Sequence, residues 1–435
     1  MRENNSPNQL PVVRGVIESI AFGGKGILRH ESLVIFVPFT CPGEEVEVEI
    51  VKKKKSFAEG RLLRVLKESE ARTGPLCPYF GTCGGCQLQH LDYSAQLNAK
   101  QQMVVDAFSR IGKITLPEKP HIQSADPIWN YRRRVRWTLK EGKEGLHAGF
   151  ISVDGVSLVE NKVCPIFVRD TDTILDHVRQ AVRKIKGNLP KPSWVSIVKS
   201  GTGGFIVAFD FRGKRPKHII QVAEELLQNV QGVAIRCSKG VQHFGETTGW
   251  MTVEDKKFAF SPLSFVQAHP QQSSAIYEYI RDLAVRERWE RAIDLYCGIG
   301  VLSVLLSKEQ IYARGVEINP DAIQLARRNA ELHQASTALF ECGDVEHFVP
   351  KWLNQSWEGI IVNPPRTGID EKVLTSIAKG SVRDVVYVSC MPATLARDCA
   401  RFTQYGYTVA SVRIFDMFPQ TTHLETVVHL QKKQD

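Results

Sequence analysis

The stretch Asp294-Leu295-Tyr296-Cys297-Gly298-Ile299-Gly300 decides the predicted fold of the last part of the chain. Apolar residues before it predict a buried strand, its glycines predict a tight turn, and residues 301–306 predict a helix that starts directly after the turn. This order lets a ligand lie against bare backbone at the carboxyl end of a strand. The third glycine of the G-x-G-x-x-G fingerprint is absent, so the turn does not predict a dinucleotide site.

Outward from this turn, predicted helices alternate with apolar strands from about residue 256 to the end of the chain. The predicted strands lie at 292–296, 314–318, 338–340, 359–362 and 385–388. Such alternation is typical of a parallel, doubly wound α/β sheet of the Rossmann-like type. We therefore predict that residues 256–435 form one domain of this class.

Polar residues stand at the ends of these strands, where a doubly wound sheet binds its ligands. The D-x-x-x-G-x-G form of residues 294–300 resembles motif I of S-adenosylmethionine-dependent methyltransferases. In that fold Glu317, at the end of the second strand, is expected to bind the ribose hydroxyls. Asp344, at the end of the third strand, is expected to contact adenine, and Asn363 at the end of the fourth is expected to meet cofactor and substrate.

Cys390 ends the apolar run of residues 386–389. A lone cysteine is often only a small buried hydrophobe, but a thiol at a strand's carboxyl end can also act as a nucleophile. Carbon 5 of a pyrimidine attacks a methyl donor only after a thiolate has added to C6, and a general base must then remove the C5 proton. Glu425, which opens the apolar terminal strand, is the candidate base, with His423 as a weaker helper.

The sequence Asn363-Pro364-Pro365 also resembles the signature of enzymes that methylate exocyclic amines, in which an aromatic residue follows the prolines. Arg366 follows them here. This departure disfavours amine methylation, which remains the second hypothesis, and favours a mechanism that uses Cys390.

A cysteine array with the spacing C-x5-C-x2-C lies near the amino terminus. Thiolates so close together need a cation, and zinc and a four-iron cluster both accept four sulfur ligands. The predicted ligands are Cys77, Cys83, Cys86 and Cys164, the last of which precedes a proline; Cys41 and Cys237 are weaker candidates. Spacing alone leaves zinc and iron–sulfur open.

Residues 10–68 contain short strands of alternating polarity with glycine punctuation, which predict a small OB-like barrel. The glycine pattern resembles the TRAM domain, a small RNA-binding barrel. Lys52 to Lys55 follow the alternating run of residues 45–50, and four arginines lie among aromatics between Asn130 and Trp137. Both could bind phosphates, although each could also be an ordinary solvated surface.

The composition fits a protein that binds a polyanion. The 435 residues carry a formal net charge of +9 and a pI near 9.0. No segment is predicted to cross a membrane or to act as a signal peptide, and ten cysteines are too few for a disulfide scaffold of this length. We expect a cytoplasmic monomer with no obligate protein partner.

Taken together, the motifs resemble the RNA uracil-C5 methyltransferases over almost the whole chain. The resemblance implies S-adenosylmethionine as cofactor, with contacts from Gln267, Tyr296, Glu317 and Asn363, and a 4Fe-4S cluster on the four cysteines. It also implies Cys390 as nucleophile and Glu425 as base. Many members have Asp at the position of Asn363, and some have Asn at that of Val301.

The same resemblance predicts three domains: a TRAM-like barrel (10–68), a central α+β domain with the cluster and an RNA-binding surface (69–255), and the methyltransferase domain (256–435). It favours 23S rRNA as substrate, with a uridine of the tRNA T loop as the alternative. A non-enzymatic iron–sulfur RNA-binding protein is the alternative from another class.

Overall fold

The computed structural model describes residues 11–433 apart from 144, 170, 187, 188, 190 and 191. Its first strands close into a barrel in the order β1-β2-β3-β5-β4. Every second side chain points inward, so that residues such as Val13, Val46 and Val48 form an apolar interior. The five strands are β1 (Val12–Ile20), β2 (Lys25–His30), β3 (Leu33–Pro38), β4 (Glu45–Lys53) and β5 (Phe57–Lys67). The predicted barrel is confirmed, and the lysine run begins with the last two residues of β4, Lys52 and Lys53.

The chain divides into two compact units: the first runs to Met103 and also includes Pro419–Thr422, and the second holds the rest. Within the first unit, the Gln96 side-chain amide donates to Gln420 Oε1 at 3.0 Å. Helix α1 (Tyr93–Ala107) continues from the first unit into the second, where a π-helical turn, Phe108–Gly112, follows it.

A seven-stranded sheet with the order β13-β12-β11-β10-β7-β8-β9 dominates the middle of the chain. One face packs against two helices and forms an apolar core that includes Trp137, Val195 and Phe209. After a short strand, β6 (His121–Gln123), the elements are β7 (Arg134–Gly142), β8 (Gly145–Ile151), β9 (Leu158–Val159), α2 (Asp172–Arg183), β10 (Ser193–Lys199), β11 (Phe205–Phe211), α3 (Ile219–Leu226), β12 (Gly232–Cys237) and β13 (Gly240–Gly245). A two-stranded sheet of β14 (Gly249–Val253) and β15 (Lys256–Phe260) follows.

The last part of the chain forms an eight-stranded sheet with the order β18-β17-β16-β19-β20-β22-β21-β6. Its elements are α4 (Pro270–Arg286), β16 (Arg291–Leu295), α5 (Val301–Lys308), β17 (Tyr312–Glu317), α6 (Pro320–Leu332), β18 (Ala338–Cys342), α7 (Val345–Trp352), β19 (Gly359–Val362), α8 (Glu371–Lys379), β20 (Asp384–Ser389), α9 (Pro392–Thr403), β21 (Tyr407–Phe415) and β22 (Glu425–Lys432).

Strands β16 to β20 are parallel, with apolar clusters on both faces, which confirms the doubly wound fold. Strand β22 runs antiparallel to its neighbours, and β6, which precedes the central sheet in the chain, pairs with β21. The strand order reverses between β16 and β19. Doubly wound sheets bind ligands at such a switch point, at the carboxyl ends of the strands.

Candidate active site

A cavity opens at this switch point. Its wall contains Asp294 from β16, Tyr296 and Gly298 from the following turn, and Asn363 directly after β19. The segment that precedes α4 contributes Gln267 to the lining. Three of the predicted cofactor residues, Gln267, Tyr296 and Asn363, therefore line one cavity.

The glycine turn has the geometry that a close ligand requires. The φ angles of Tyr296, Gly298 and Gly300 are all positive, at 63°, 55° and 77°. A Cβ atom on Gly300 would lie 2.7 Å from the Phe340 ring, so only glycine fits there. A Cβ on Gly298 would meet no atom within 4 Å, which leaves the backbone of this residue open toward a ligand.

Asp294 holds the turn to the following helix. Its buried carboxylate accepts a hydrogen bond from Ser303 Oγ of α5 at 2.7 Å. Burial raises the pKa of Asp294 to about 6, although the hydrogen bond from Ser303 opposes the rise. This aspartate positions the turn, and Ser303 is a partner that the sequence patterns did not identify.

Gln267 carries an unused acceptor into the cavity. Among the described residues, no donor reaches its buried Oε1 atom. Buried polar atoms are almost always paired, so an unpaired one in a cavity indicates a ligand that supplies the missing donor. Two residues earlier, Phe265 is 73% exposed and also lines the cavity.

Glu317 and Asp344 lie at the next two strand ends along the same edge. Glu317 Oε1 accepts the backbone N–H of Asn319 at 2.9 Å, and Asp344 caps α7 by accepting the N–H of Glu346 at 3.0 Å. Burial, followed by the charges of Asp344 and other nearby carboxylates including Glu317, raises the pKa of Tyr296 to about 12. Both acids therefore influence the cavity from its rim.

Cys390 and Glu425 come together at the ends of two neighbouring antiparallel strands. Ser389 of β20 pairs with Thr426 of β22, so the residues one step further, Cys390 and Glu425, face each other across the strand ends. The thiol is half-buried, whereas Glu425 is only 5% exposed. The register, set by residues far apart in sequence, brings the predicted nucleophile and base together.

The environment raises the pKa of both groups. Burial raises the pKa of Glu425 to about 8, and Arg366 opposes this rise. Burial also raises the pKa of the Cys390 thiol, the Glu425 carboxylate raises it further, and the charge and hydrogen bond of Arg366 lower it. The charge of Arg366 therefore favours the ionised form of both acids, and burial opposes it in both.

Arg366 is the cation between them. Its Nη2 lies 3.4 Å from His423 Nδ1, and within the described chain it forms no ion pair with a carboxylate at salt-bridge distance. The sequence drew attention to Arg366 only because it departs from an amine-methylating motif. Its place beside Cys390 and Glu425 depends on the fold.

The predicted cluster ligands do not form a metal site in the structure. Cys77, Cys83 and Cys86 lie on one loop of the first unit, and the Cys83 Sγ accepts the N–H of Gly85 at 3.4 Å. Cys164 lies in the second unit, against the apolar core of the central sheet. No group of three or more His, Cys, Asp or Glu among the described residues could hold a metal ion.

Three family models match the chain. One described as tRNA (uracil-5-)-methyltransferase matches residues 351–433, and one described as methyltransferase small domain matches 267–383. A third, described as the TRAM domain of tRNA (uracil(54)-C(5))-methyltransferase, matches residues 13–69, the segment that forms the barrel.

Relatives match over nearly their whole length. The chain is 37% identical to an uncharacterised RNA methyltransferase of Protochlamydia amoebophila over 428 residues, which is 97% of this chain and 98% of the relative. It is 35% identical to an uncharacterised RNA methyltransferase of Halalkalibacterium halodurans, with both chains fully covered.

A solved structure has the same fold. The Pyrococcus abyssi tRNA (uracil-54, C5)-methyltransferase, in complex with S-adenosyl-L-homocysteine, matches with a TM-score of 0.74. The match covers 96% of this chain and 100% of that chain at 23% identity.

Within the described residues, no helix is long and apolar enough to cross a membrane.

Proposed function

We propose one reaction for this chain, which belongs to the S-adenosylmethionine-dependent RNA uracil-5-methyltransferases with a TRAM domain. It methylates C5 of a uridine in a structured RNA, through a transient bond between Cys390 and C6 of the base. The observation that carries this proposal is the pairing of Cys390 with Glu425 across two strand ends, with Arg366 beside both.

The residues of the cavity fit the cofactor. Gln267 offers an unpaired buried acceptor, and Gly298 leaves space against its backbone. We assign Gln267, Tyr296 and Asn363 to cofactor binding inside the cavity, and Glu317 and Asp344 to binding at its rim. When bound, S-adenosylmethionine supplies an electrophilic methyl group on a sulfonium sulfur.

Cys390 activates the base. Its thiolate donates an electron pair to C6, and the electrons of the C5–C6 double bond move toward O4 to form an enolate. Carbon 5 of the enolate would then take the methyl group of the cofactor held by Gln267, Tyr296 and Asn363, and the cofactor sulfur would keep the electron pair of the broken bond. Arg366 supports the first step because its charge lowers the pKa of the thiol.

Glu425 completes the reaction. Its carboxylate accepts the C5 proton, the electrons of the C5–H bond restore the C5–C6 double bond, and Cys390 leaves as a thiolate. A base whose pKa lies near the working pH suits this step, and burial raises the pKa of Glu425 to about 8. Arg366 keeps part of the carboxyl population ionised.

We retain 23S rRNA as the proposed substrate and the cytoplasm as the proposed location. The substrate prediction depends on the resemblance to cluster-containing members. A T-loop uridine of tRNA is a second candidate. It is supported by two family models named after tRNA uracil methyltransferases and by the name of the structurally similar Pyrococcus abyssi enzyme.

An adduct experiment tests the reaction. The purified protein, incubated with S-adenosylmethionine and 5-fluorouridine-substituted rRNA or tRNA, should form a stable covalent complex, since fluorine cannot leave C5 as a proton does. Cys390→Ala should form none, and the half-buried Cys237 of the central sheet, changed to Ala, should behave as wild type. An adduct in the Cys390→Ala variant would overturn the mechanism.

Mass spectrometry of nucleosides from RNA methylated with unsubstituted substrate identifies the product and the substrate. 5-Methyluridine in rRNA or in tRNA decides between the two RNAs. Methylated adenine or guanine in place of 5-methyluridine would support the amine hypothesis, and would refute the C5 proposal.

The iron–sulfur cluster is a separate proposal that rests on the C-x5-C-x2-C spacing together with the resemblance to the RNA uracil-C5 methyltransferases, and no step of the reaction uses it. Protein purified without oxygen should contain iron and acid-labile sulfide if the proposal holds. Absence of both from protein that is folded and active would refute it.

A further inference from the structure

The central sheet has a second face, opposite its helix-covered core. Side chains of β7 alternate between the two faces: Val135, Trp137 and Leu139 belong to the apolar core under α2 and α3. Arg134, Arg136 and Lys140 therefore point to the opposite side. On β7, this second face therefore carries three basic side chains.

Trp194 of β10 holds two guanidinium groups on this face. The Cζ atom of Arg136 lies 5.0 Å from the centre of the Trp194 ring, and that of Arg212 lies 5.5 Å from it. Both arginines are exposed, and within the part of the chain that the structure describes neither forms an ion pair with a carboxylate. We call Arg136, Trp194 and Arg212 the arginine–tryptophan patch.

The acid beside Trp194 on this face is already paired with another arginine. Asp210 pairs with Trp194 in the register of β10 and β11, and its carboxylate accepts the Nε–H of Arg236 at 3.0 Å. The ring interactions fix the positions of Arg136 and Arg212 without cancelling their charge. An anionic, planar partner is complementary to such a surface.

The patch is continuous with the cavity through Arg134, two residues before Arg136 on the same strand face. The Arg134 guanidinium is largely buried and donates hydrogen bonds to the backbone carbonyls of Ser264 and, at 2.8 Å, of Pro262. This loop leads directly to Phe265, which lines the cavity and is 73% exposed. One basic face thus extends from the arginine–tryptophan patch to the mouth of the cavity.

We propose that the arginine–tryptophan patch binds a single-stranded segment of the substrate RNA that flanks the target uridine. The two guanidiniums bind phosphates and the Trp194–arginine stack provides a platform for an unpaired base. This inference rests on the proposed function, since it assumes that the cavity receives a base from RNA. It names a part of the RNA surface that lies outside the reaction site.

Two RNAs test the proposal: a hairpin with one uridine in its loop, and the same hairpin with single-stranded extensions of about six nucleotides on both ends. For the wild type, the extensions should strengthen binding about tenfold in fluorescence anisotropy. In Arg136→Glu/Arg212→Glu this gain should disappear, and the slope of log affinity against log salt should fall by about 1.4, that is about 0.7 for each of two phosphate contacts. Affinity for the plain hairpin and for S-adenosylmethionine should not change.

Arg286→Glu is the matched control, because Arg286 is an exposed arginine at the end of α4, beyond the amino ends of the strands. It should retain the full gain from the extensions. Trp194→Phe, a milder change, should keep the fold and lose part of the gain. An equal binding gain in the wild type and the double variant would overturn the proposal. A double variant that differs from the wild type only in self-association would also overturn it, because the partner of the patch would then be a second copy of the chain.

The readout separates this inference from the proposed function. Methylation of the plain hairpin or of natural RNA tests the reaction, whereas the binding gain from the extensions tests the patch. If the RNA is not methylated but the binding gain from the extensions still depends on Arg136 and Arg212, the proposed reaction is refuted and the role of the patch is retained.

Discussion

Strands β20 and β22 carry a buried carboxylate at each end of their pairing, and the two ends differ in how that carboxylate is satisfied. At the amino end of β20, Asp384 accepts hydrogen bonds from Trp289 Nε1 at 2.8 Å, Arg383 Nε at 2.9 Å and His429 Nε2 at 2.9 Å. At the other end, Glu425 is 5% exposed, and among the described residues the charge of Arg366 is what favours its ionised form.

The two carboxylates consequently have opposite pKa shifts. Burial alone would raise the pKa of Asp384, but the donors outweigh it and lower the pKa. Burial prevails at Glu425 and raises its pKa to about 8. The same strand pair thus contains one carboxylate that stays ionised and stabilises the fold, and one that can take up and release a proton.

Glu425→Gln should give the largest effect at the reactive end. Turnover should fall by roughly 10³-fold, because a positioned general base contributes about 10²–10⁴-fold. The adduct with Cys390 should accumulate on natural RNA, since addition to C6 does not need this base. Single-turnover assays and denaturing gels measure both quantities, and turnover within tenfold of wild type would contradict the assignment.

Asp384→Asn should give the largest effect at the structural end. It removes the charge that pairs with Arg383 and the buried His429, which should cost about 2–3 kcal/mol of unfolding free energy. Thermal unfolding monitors the loss, and the turnover of folded enzyme should stay at the wild-type level. Asp282→Asn, an exposed carboxylate on α4, is the control and should change stability by less than about 0.5 kcal/mol.

The pH dependence of stability should differ in sign between the two ends. Because the pKa of Glu425 rises from 4.5 to about 8, the folded state holds an extra proton between these values, and stability falls as pH rises through this window. The unfolding temperature of Glu425→Gln should therefore be a few degrees above that of the wild type near pH 8, and the two temperatures should be equal at about pH 4.

Asp384 predicts the opposite dependence. Its lowered pKa gives stability that is present above its ordinary value of 3.8 and is lost as pH falls below it. The Asp384→Asn variant should therefore lose less stability than wild type on acidification. A Glu425→Gln enzyme whose stability depends on pH as the wild type's does would contradict the opposite pKa shifts of Glu425 and Asp384.

Arg366→Met should give the smallest effect. Loss of this charge should raise the pKa of both Cys390 and Glu425, so that activity moves to higher pH and falls about tenfold near neutral pH. Arg366→Lys keeps a charge and should lose less. The dependence of kcat/KM on pH measures both variants, and a shift toward acid would contradict this role.

Much of the fold followed from local patterns. The strand, glycine turn and helix at residues 292–306, the alternating barrel strands and the doubly wound class are confirmed. Each single element in them depends on a pattern of neighbouring residues. The relatives confirm the family and an RNA methyltransferase activity. The roles of Cys390, Glu425 and the cofactor residues stay predictions.

Other features depend on contacts between distant segments. The spacing of Cys77, Cys83 and Cys86 predicts a metal site, yet spacing does not fix where thiols point, and the described geometry contains no such site. Strand β6 lies before the central sheet in sequence and joins the last sheet in space. This strand is too short to show an alternating pattern, so it could not be assigned to a sheet from its sequence.

The sequence by itself determined the classes of element, the glycine turn and the residues able to do the chemistry. Only the tertiary structure decided which of them meet: the register of β20 and β22 sets Cys390 opposite Glu425, and the loop after β19 brings Arg366 to both. The physical reason is that a pKa depends on burial and on neighbouring charges. Both are created by long-range packing, so Asp384 and Glu425, two acids on paired strands, acquire opposite properties.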